Sequence, residues 1–597
     1  MNQNNGNVGG ILLTAALILV AVLLGGPWLI FGLATYFACG AWTNYGLREI
    51  FSGYAGGLDV SGLEGHTCLP SAGWSRGVAI ALVILILVVV VVTILAWHAW
   101  TQSDIKFVRD LKDREGIAKG REVRRKAGRK ALKQRAKSIR PTLDKPRLQD
   151  VGRTLGSSHY QQVWQSMEDS VILLGPPRSG KGFYIIINAI LDSPGAVITT
   201  STRGDNVAAT LELRKKIGPC TVFDPQGRSG VKSTLKWSPY QGCETAAGAS
   251  KRSQVLIGAS GLGTSSNNQE WAQQAEIILM YLLHAAALGR VRVAEFTNWC
   301  QSPALAGDAV KILSEAPAAT PGWAENLRSE VESDARTRGN KWMGVTGATA
   351  GLTIPEVAEA LDPGPGEESL DPRTFIEQKG TLYLVGSKSG GAAIAPFLVA
   401  LMDEIVDVGR EMAFQLPGNR LDPPMALVLD EIANIAPWKQ LPTIMADGGG
   451  VGISTLAVFQ SPAQARGQWG EQDAQALIDS AILQIQLGGS NNDTELRRFV
   501  ELAGQREVKQ KQKSWSNQGT THSNNLQDKQ VFTVAELRRI PSGWGLLLNR
   551  NARPVLMKMV RWIDRKDAKE IKASQRAFED QMKQARVDKA PPASVRS

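Results

Sequence analysis

Five cysteines and five histidines are spread over 597 residues, and no two cysteines stand as CxxC. That scarcity and scatter argue against a metal centre built by the chain and against a disulfide framework. The first ten residues, MNQNNGNVGG, contain no Lys or Arg, which disfavours a cleavable signal peptide. No charge at all interrupts GVAIALVILILVVVVVTILAW, Gly77 to Trp97. A soluble core helix rarely lacks a polar face over five turns, so this stretch reads as a membrane span, long enough for a hydrocarbon core of about 30 Å. With 43% hydrophobic and 21% charged residues the chain is not disordered, and its length predicts two or three folded units.

Positive charge is abundant in only one place. Between Lys106 and Arg147 stand 17 Lys and Arg against five acids, which leaves the rest of the chain close to neutral. The block directly follows the charge-free span, so the positive-inside bias places everything after it in the cytoplasm. A first apolar stretch, Ile11 to Trp42, is interrupted at GGPW and reads as one kinked span with an interfacial remainder. The expectation is a two-helix transmembrane anchor over residues 1–100, with an external loop at about 43–76 and a basic juxtamembrane linker over 101–150. Lys and Arg next to an anionic leaflet make the basic block chiefly a topology and membrane-surface device.

From about residue 151 short apolar runs alternate with turns and helical stretches. VILLG (171–175), GAVITTS (195–201), TVFDP (221–225), TLYLVG (381–386), MALVLDE (425–431), ISTLAVFQ (453–460) and AILQIQLG (481–488) read as strands, and RPVLMKMVRW (553–562) as a last one. Continuous apolar strands alternating with helices predict an α/β unit with a mostly parallel sheet covered on both faces. Strand signals fade between about 241 and 354, where helical runs at 269–288 and 325–335 predict an all-alpha insertion with Trp271, Leu279 and Leu282 in its core. The nucleotide-binding domain would then comprise 151–240 and 355–562. The polar stretch 508–530 reads as a flexible loop, and 563–597 as a charged, mobile tail.

One strand and one helical run enclose GPPRSGKGF, that is Gly175, Pro176, Pro177, Arg178, Ser179, Gly180, Lys181, Gly182 and Phe183. Glycines let backbone N–H groups face phosphates at a helix N-terminus, and Lys181 would neutralise them. MALVLDE ends in adjacent carboxylates. In phosphate-loop enzymes such an Asp430 holds Mg²⁺, and such a Glu431 orients and deprotonates the attacking water. Gln460, ending a further strand, is placed to sense the γ-phosphate or orient that water. ATP with Mg²⁺ is the ligand expected.

Together GPPRSGKGF, TVFDPQG (221–227), KWSPY (236–240), ALVLDEIANI (426–435), LPTIMADGGGVGIS (441–454) and AVFQSPAQ (457–464) resemble the type IV secretion system coupling proteins, over about residues 1–560. The resemblance implies a RecA-like P-loop NTPase domain with an inserted all-alpha domain, an inner-membrane multi-pass anchor and a homo-hexamer. It also implies recruitment of single-stranded DNA with its relaxase, or of protein substrates, to type IV secretion channel proteins, with ATP hydrolysis driving transfer. By position, Lys181 is the phosphate-loop lysine, Asp430 the metal aspartate, Glu431 the catalytic glutamate and Gln460 part of the third nucleotide motif.

Two departures stand out. Gly182 occupies a position where Ser or Thr would offer a metal-binding hydroxyl. DGGGVG (447–452) has no arginine where many relatives carry one able to reach a neighbour's nucleotide; Arg466, Arg497 and Arg498 are possible substitutes. Two other readings stay open: a septal pump for double-stranded DNA, and a docking receptor that binds nucleotide as a switch and hydrolyses little.

Overall fold

A computed structural model describes residues 25–262, 268–386, 393–516 and 519–589. The chain divides near residue 109 into two compact units.

In the first unit, Ala72–Thr101 forms a 30-residue helix in which only Ser75 is buried. At 1.5 Å per residue its length exceeds the ~30 Å hydrocarbon core, and among the described residues it is the one helix long and apolar enough to cross a membrane. The earlier apolar stretch supplies the shorter helix Gly25–Cys39, and residues 11–24 of that predicted span lie outside the described residues. The connecting segment carries the helix Leu47–Ala55 and packs Tyr45, Ile50 and Val60 with Phe31 of that shorter helix in a small core. Gly53 is required there, because a Cβ would come within 2.7 Å of Val60 and 2.9 Å of Phe31. Cys39 and Cys68 are joined in a disulfide, contrary to the expectation from cysteine scatter. Their separation of 29 positions hid a proximity that the folding-back of the loop creates.

The second unit is built on strands β1 (Gly152–Ser158), β2 (Gln161–Ser166), β3 (Val171–Leu174), β4 (Val197–Ser201), β5 (Cys220–Phe223), β6 (Thr381–Val385), β7 (Met425–Leu429), β8 (Ile453–Phe459) and β9 (Leu483–Leu487). A ribbon of β10 (Gln505–Ser516) and β11 (Gly519–Gln530) follows, then β12 (Trp544–Asn549) and β13 (Val555–Met559). Eleven strands form one mixed sheet in the order β2-β1-β13-β12-β9-β3-β8-β7-β4-β6-β5. The seven from β9 to β5 are mutually parallel, and β12, β13, β1 and β2 extend that sheet antiparallel. All eight strands expected from apolar runs are present. β1 and β2 gave no such signal because they bury polar residues, among them Arg153 and Gln165, whose side chains are bonded at 2.8 Å.

Between β5 and β6 the described residues form helices and no strand. The central one, Gln269–Gly289, buries Leu279 and Leu282, whereas Trp271 is exposed rather than in the core. Trp237 ties this helical part to the sheet unit: its Nε1 donates to Glu404 at 2.8 Å, and Arg252 lies 5.0 Å over its ring.

The basic segment is folded against the sheet unit from Asp110 onward. Leu132, Ala136 and Ile139 pack with Val151, Trp164 and Met167. Arg114 pairs with Glu536 at 2.6 Å, Arg135 with Glu168 at 2.5 Å, and Arg140 with Asp422. Part of its charge therefore serves packing rather than a membrane surface.

Two further expectations change. The predicted loop at 508–530 lies within the β10–β11 ribbon, a backbone ladder that forms without apolar alternation in its sequence. The predicted mobile tail contains the helix Ala568–Lys589. Ile571 is buried there with Ala209, Leu213 and Trp562, and Ser574 Oγ donates to the Ala208 carbonyl at 2.7 Å. Residues 590–597 lie outside the described residues.

Candidate functional site

Ligands of open parallel sheets bind beyond the carboxyl ends of the strands. Here β3, β8 and β7 are neighbours in that order, and each delivers part of the predicted motif set there. After β3 the chain turns through 175–181 into the helix Gly182–Leu191. Gly180 has φ +83°, and a Cβ on it would lie 2.5 Å from the Tyr184 ring, so only glycine fits. Arg178 also takes a positive φ, 62°. It is exposed, as is Pro177. Phe183 is placed otherwise than predicted, joining the apolar cluster of Ile187 and Leu213 and meeting Trp562 edge-on at 5.9 Å.

Lys181 is buried, and its Nζ donates to the Gly175 carbonyl at 2.8 Å across its own loop. Burial pulls its pKa down, partly countered by the charges of Asp430 and Glu431. Those acids end β7, one strand removed from β3. Burial pushes Asp430 up to about 7, the adjacent Glu431 charge and Asp205 add to this, and Lys181 opposes it. Its Oδ1 is buried without a hydrogen-bond partner. A carboxylate in that condition is short of a positive ligand, which is the chemistry of a divalent-cation site.

Glu431 behaves in the opposite way. Burial raises its pKa, but hydrogen bonds from Thr202, Gln460 and Asn434 and the charge of Lys181 outweigh it, holding it below the ordinary value. Thr202 Oγ1 donates to Oε2 at 2.8 Å, Gln460 Nε2 to Oε1 at 3.0 Å, and Asn434 Nδ2 to Oε2 at 3.4 Å. Its backbone is left-handed, φ 50° and ψ 36°, a conformation that costs a non-glycine residue about 1–3 kcal/mol. Strain and three donors together fix one carboxylate in one orientation.

The loop lysine, the acidic pair and Gln460 are thus brought together. Thr202 and Asn434 were missed by sequence reasoning. Thr202 follows the Thr-Thr-Ser end of β4, and its role depends on β4 lying beside β7, which no local pattern reveals. Thr200 makes the same strand contact, its Oγ1 donating to the Asp430 carbonyl at 2.9 Å. Gly182 has open space around it, with nothing within 4 Å of an added Cβ. The three arginines considered as substitutes in trans are held by acids of their own chain: Arg466 to Glu471 at 3.5 Å, Arg497 to Asp493 at 3.4 Å and Arg498 to Asp479 at 2.6 Å.

Two family models match the chain. Residues 122–288 match "Type IV secretory system Conjugative DNA transfer", and residues 424–542 match "TraM recognition site of TraD and TraG". The first match contains the Gly175–Phe183 loop and the second contains Asp430, Glu431 and Gln460. No curated protein sequence matches significantly. Among solved structures, the plasmid coupling protein TrwB in complex with ADP and Mg²⁺ is similar in fold, with a TM-score of 0.52 and 16% identity, covering 76% of this chain and 95% of that one. The bacterial conjugative coupling protein TrwBdeltaN70 in its unbound monoclinic form aligns with a TM-score of 0.51 and 16% identity, covering 73% and 92%.

Proposed function

The chain is a type IV coupling protein, and from that premise we propose that it is a membrane-anchored ATPase that brings a DNA–relaxase complex to a type IV secretion channel and drives its transfer. The observation that carries this reading is the meeting of Lys181, Asp430, Glu431 and Gln460 at adjoining strand ends, with an unpartnered buried oxygen on Asp430. The parallel run of strands around β3, with the Gly-Lys loop at its carboxyl end, supports reading this unit as a RecA-like phosphate-loop domain. The helical part between β5 and β6 is its inserted all-alpha domain, and a ring of six is the working assembly.

The chemistry follows from the residues. Lys181, held by the Gly175 carbonyl, exchanges that contact for phosphate oxygens, a stronger charge-assisted partner for a desolvated ammonium. Asp430 would hold Mg²⁺, which when bound neutralises phosphate charge. Glu431, ionised at neutral pH, accepts the proton of a water as its oxygen bonds to the γ-phosphorus and the bond to the ADP oxygen breaks. Gln460, Thr202 and Asn434 keep the accepting carboxylate in line. With glycine at 182 no side-chain hydroxyl would reach such a metal, and a water could supply that ligand instead.

Ala72–Thr101 is the main span, and the apolar stretch ending at Cys39 is its partner. The Cys39–Cys68 bond supports an external position for the loop between them, because disulfides persist in oxidising compartments. The switch-like receptor has one observation in its favour, the engagement of Arg466, Arg497 and Arg498 within their own chain. ATP turnover by the full chain, with and without single-stranded DNA and beside Lys181→Ala and Glu431→Gln, separates the two. Turnover surviving both substitutions would move the site elsewhere, and turnover absent under every condition would favour the receptor.

A further inference from the structure

The helix Leu47–Ala55, between the two apolar stretches, carries more apolar surface than its own fold covers. Each position of a helix turns about 100° from the last. Ile50 and Gly53 face the small core, against Phe31 and Val60. Leu47, Phe51 and Tyr54, spaced i, i+4 and i+7, form a second stripe beside that face and stay 65%, 61% and 59% exposed. Arg48 and Ser52 lie on the far side of the stripe, both exposed. Glu49 is turned back on its own fold, accepting from the Gly46 N–H at 2.6 Å and standing 3.2 Å from His66 Nε2. An apolar sector therefore runs without a charge from the buried face across the exposed stripe, and polar side chains begin only beyond it.

Exposure of this kind is concentrated here. Among the described residues, eight large apolar or aromatic side chains are exposed from Leu29 to Trp74, against ten in all of residues 110–589. Water-facing surfaces scatter such residues singly, whereas aromatic side chains gather where protein meets the bilayer boundary. Two contacts put the helix at that boundary. Arg76 is the last charge before the run from Gly77 to Trp97, and its Nε donates at 3.0 Å to the carbonyl of Gly57, two residues past the helix. Phe37 and Trp74 line an apolar cleft with Gly77, Val78 and Ala81, so the same surface continues into the charge-free run.

We infer that the helix Leu47–Ala55 lies in the plane of the external leaflet, with Leu47, Phe51 and Tyr54 inserted between headgroups and acyl chains. The occupant of the stripe is lipid, and continuity with the span selects it over a protein partner. Arg48 and Ser52 then face headgroups and water, the division expected of an in-plane amphipathic helix. Such a helix sets the depth at which the span begins and holds the disulfide-closed loop against the bilayer. The inference deepens the membrane-anchored reading above and rests on Ala72–Thr101 being the span.

The test uses the full-length protein in nanodiscs of phosphatidylethanolamine and phosphatidylglycerol. A small fluorescent amino acid, inserted by codon suppression, replaces Leu47, Phe51, Tyr54, Ser52 or Val90, one at a time. All five side chains are exposed, so the core is left untouched. Quenching by nitroxide-bearing lipid is compared with quenching by aqueous iodide. Probes at Leu47, Phe51 and Tyr54 should respond to a nitroxide placed near the headgroup. Iodide should quench them about threefold less than the probe at Ser52, as for side chains buried about 5–10 Å into the interface. The probe at Val90 should respond only to a nitroxide deep in the acyl chains. Formation of the Cys39–Cys68 bond, scored by thiol count before and after reduction, reports the fold of each variant. Equal iodide quenching at Phe51 and Ser52, with Val90 still shielded, would overturn the inference, leave the stripe to a protein partner and spare the span. A probe at Val90 open to iodide would overturn both.

Discussion

Gln460 Nε2 donates to Oε1 of Glu431 across 3.0 Å, joining the end of β8 to the end of β7. With the donors Thr202 and Asn434 on Oε2, the bond holds the carboxylate in one orientation. Gln460→Ala should therefore lower turnover by about tenfold, the scale of one hydrogen bond to a charged group, with nucleotide affinity nearly unchanged. Glu431→Gln should lower it by about 10²–10⁴ while still binding ATP. Steady-state turnover measured alongside equilibrium binding of labelled ATP checks both, and equal turnover in the two variants would count against this division of roles.

Gly182→Ser should be tolerated, because an added Cβ meets nothing within 4 Å and the position does not need a positive φ. Its hydroxyl would replace a water in the metal shell. The expected outcome is a lower Mg²⁺ requirement with turnover kept or raised, read from Mg²⁺ titrations of the ATPase rate.

A third prediction concerns pH. Burial pushes Glu495 up to about 7, offset only in part by Gln486, Ser490 and Arg466. Between the ordinary carboxyl pKa near 4.3 and 7 the folded protein binds the extra proton, so stability falls as pH rises through that window. Glu495→Gln, which keeps a neutral side chain, should remove that slope and raise stability at pH 8, by on the order of 2 kcal/mol. Thermal midpoints at pH 5 and pH 8 for both proteins decide it.

The Cys39–Cys68 bond gives a fourth. Under non-reducing denaturing conditions only Cys220, Cys243 and Cys300 should take up a thiol reagent, and two more sites should appear after reduction. Cross-linking a 29-residue separation stabilises the loop by about 3–4 kcal/mol in the chain-entropy view. Five labelled sites without reductant would contradict the bond.

Much of this could be read from the residues alone, for physical reasons. Strands buried on both faces are rich in apolar and β-branched residues, and β3, β4, β6, β7 and β8 announced themselves that way. That the loop at 175–183 follows a strand and the acids at 430–431 end one was legible from the apolar runs beside them. What stayed hidden depends on the third dimension. Thr202 matters only because β4 lies beside β7, Cys68 only because the loop returns to Cys39, and Phe183 sits in an apolar cluster that Trp562 completes from far along the chain. The ribbon was read as a loop because strand signals come from apolar alternation, and its sequence has none.

The edge of the sheet next to β9 is completed by the latest strands of the chain. β12 and β13 must be made before β1 and β2 can join, since β1 reaches the sheet only through β13, and Ala118 N donates to the Pro554 carbonyl at 3.0 Å. On the ribosome, Ala118 and β1 are therefore synthesised early and left waiting for partners about four hundred residues downstream. A nascent chain halted short of β13 would keep the outer edge of β1 unpaired, open to degradation or to pairing with a neighbouring copy. Assembly of this molecule is governed by its final strands as much as by its first helix.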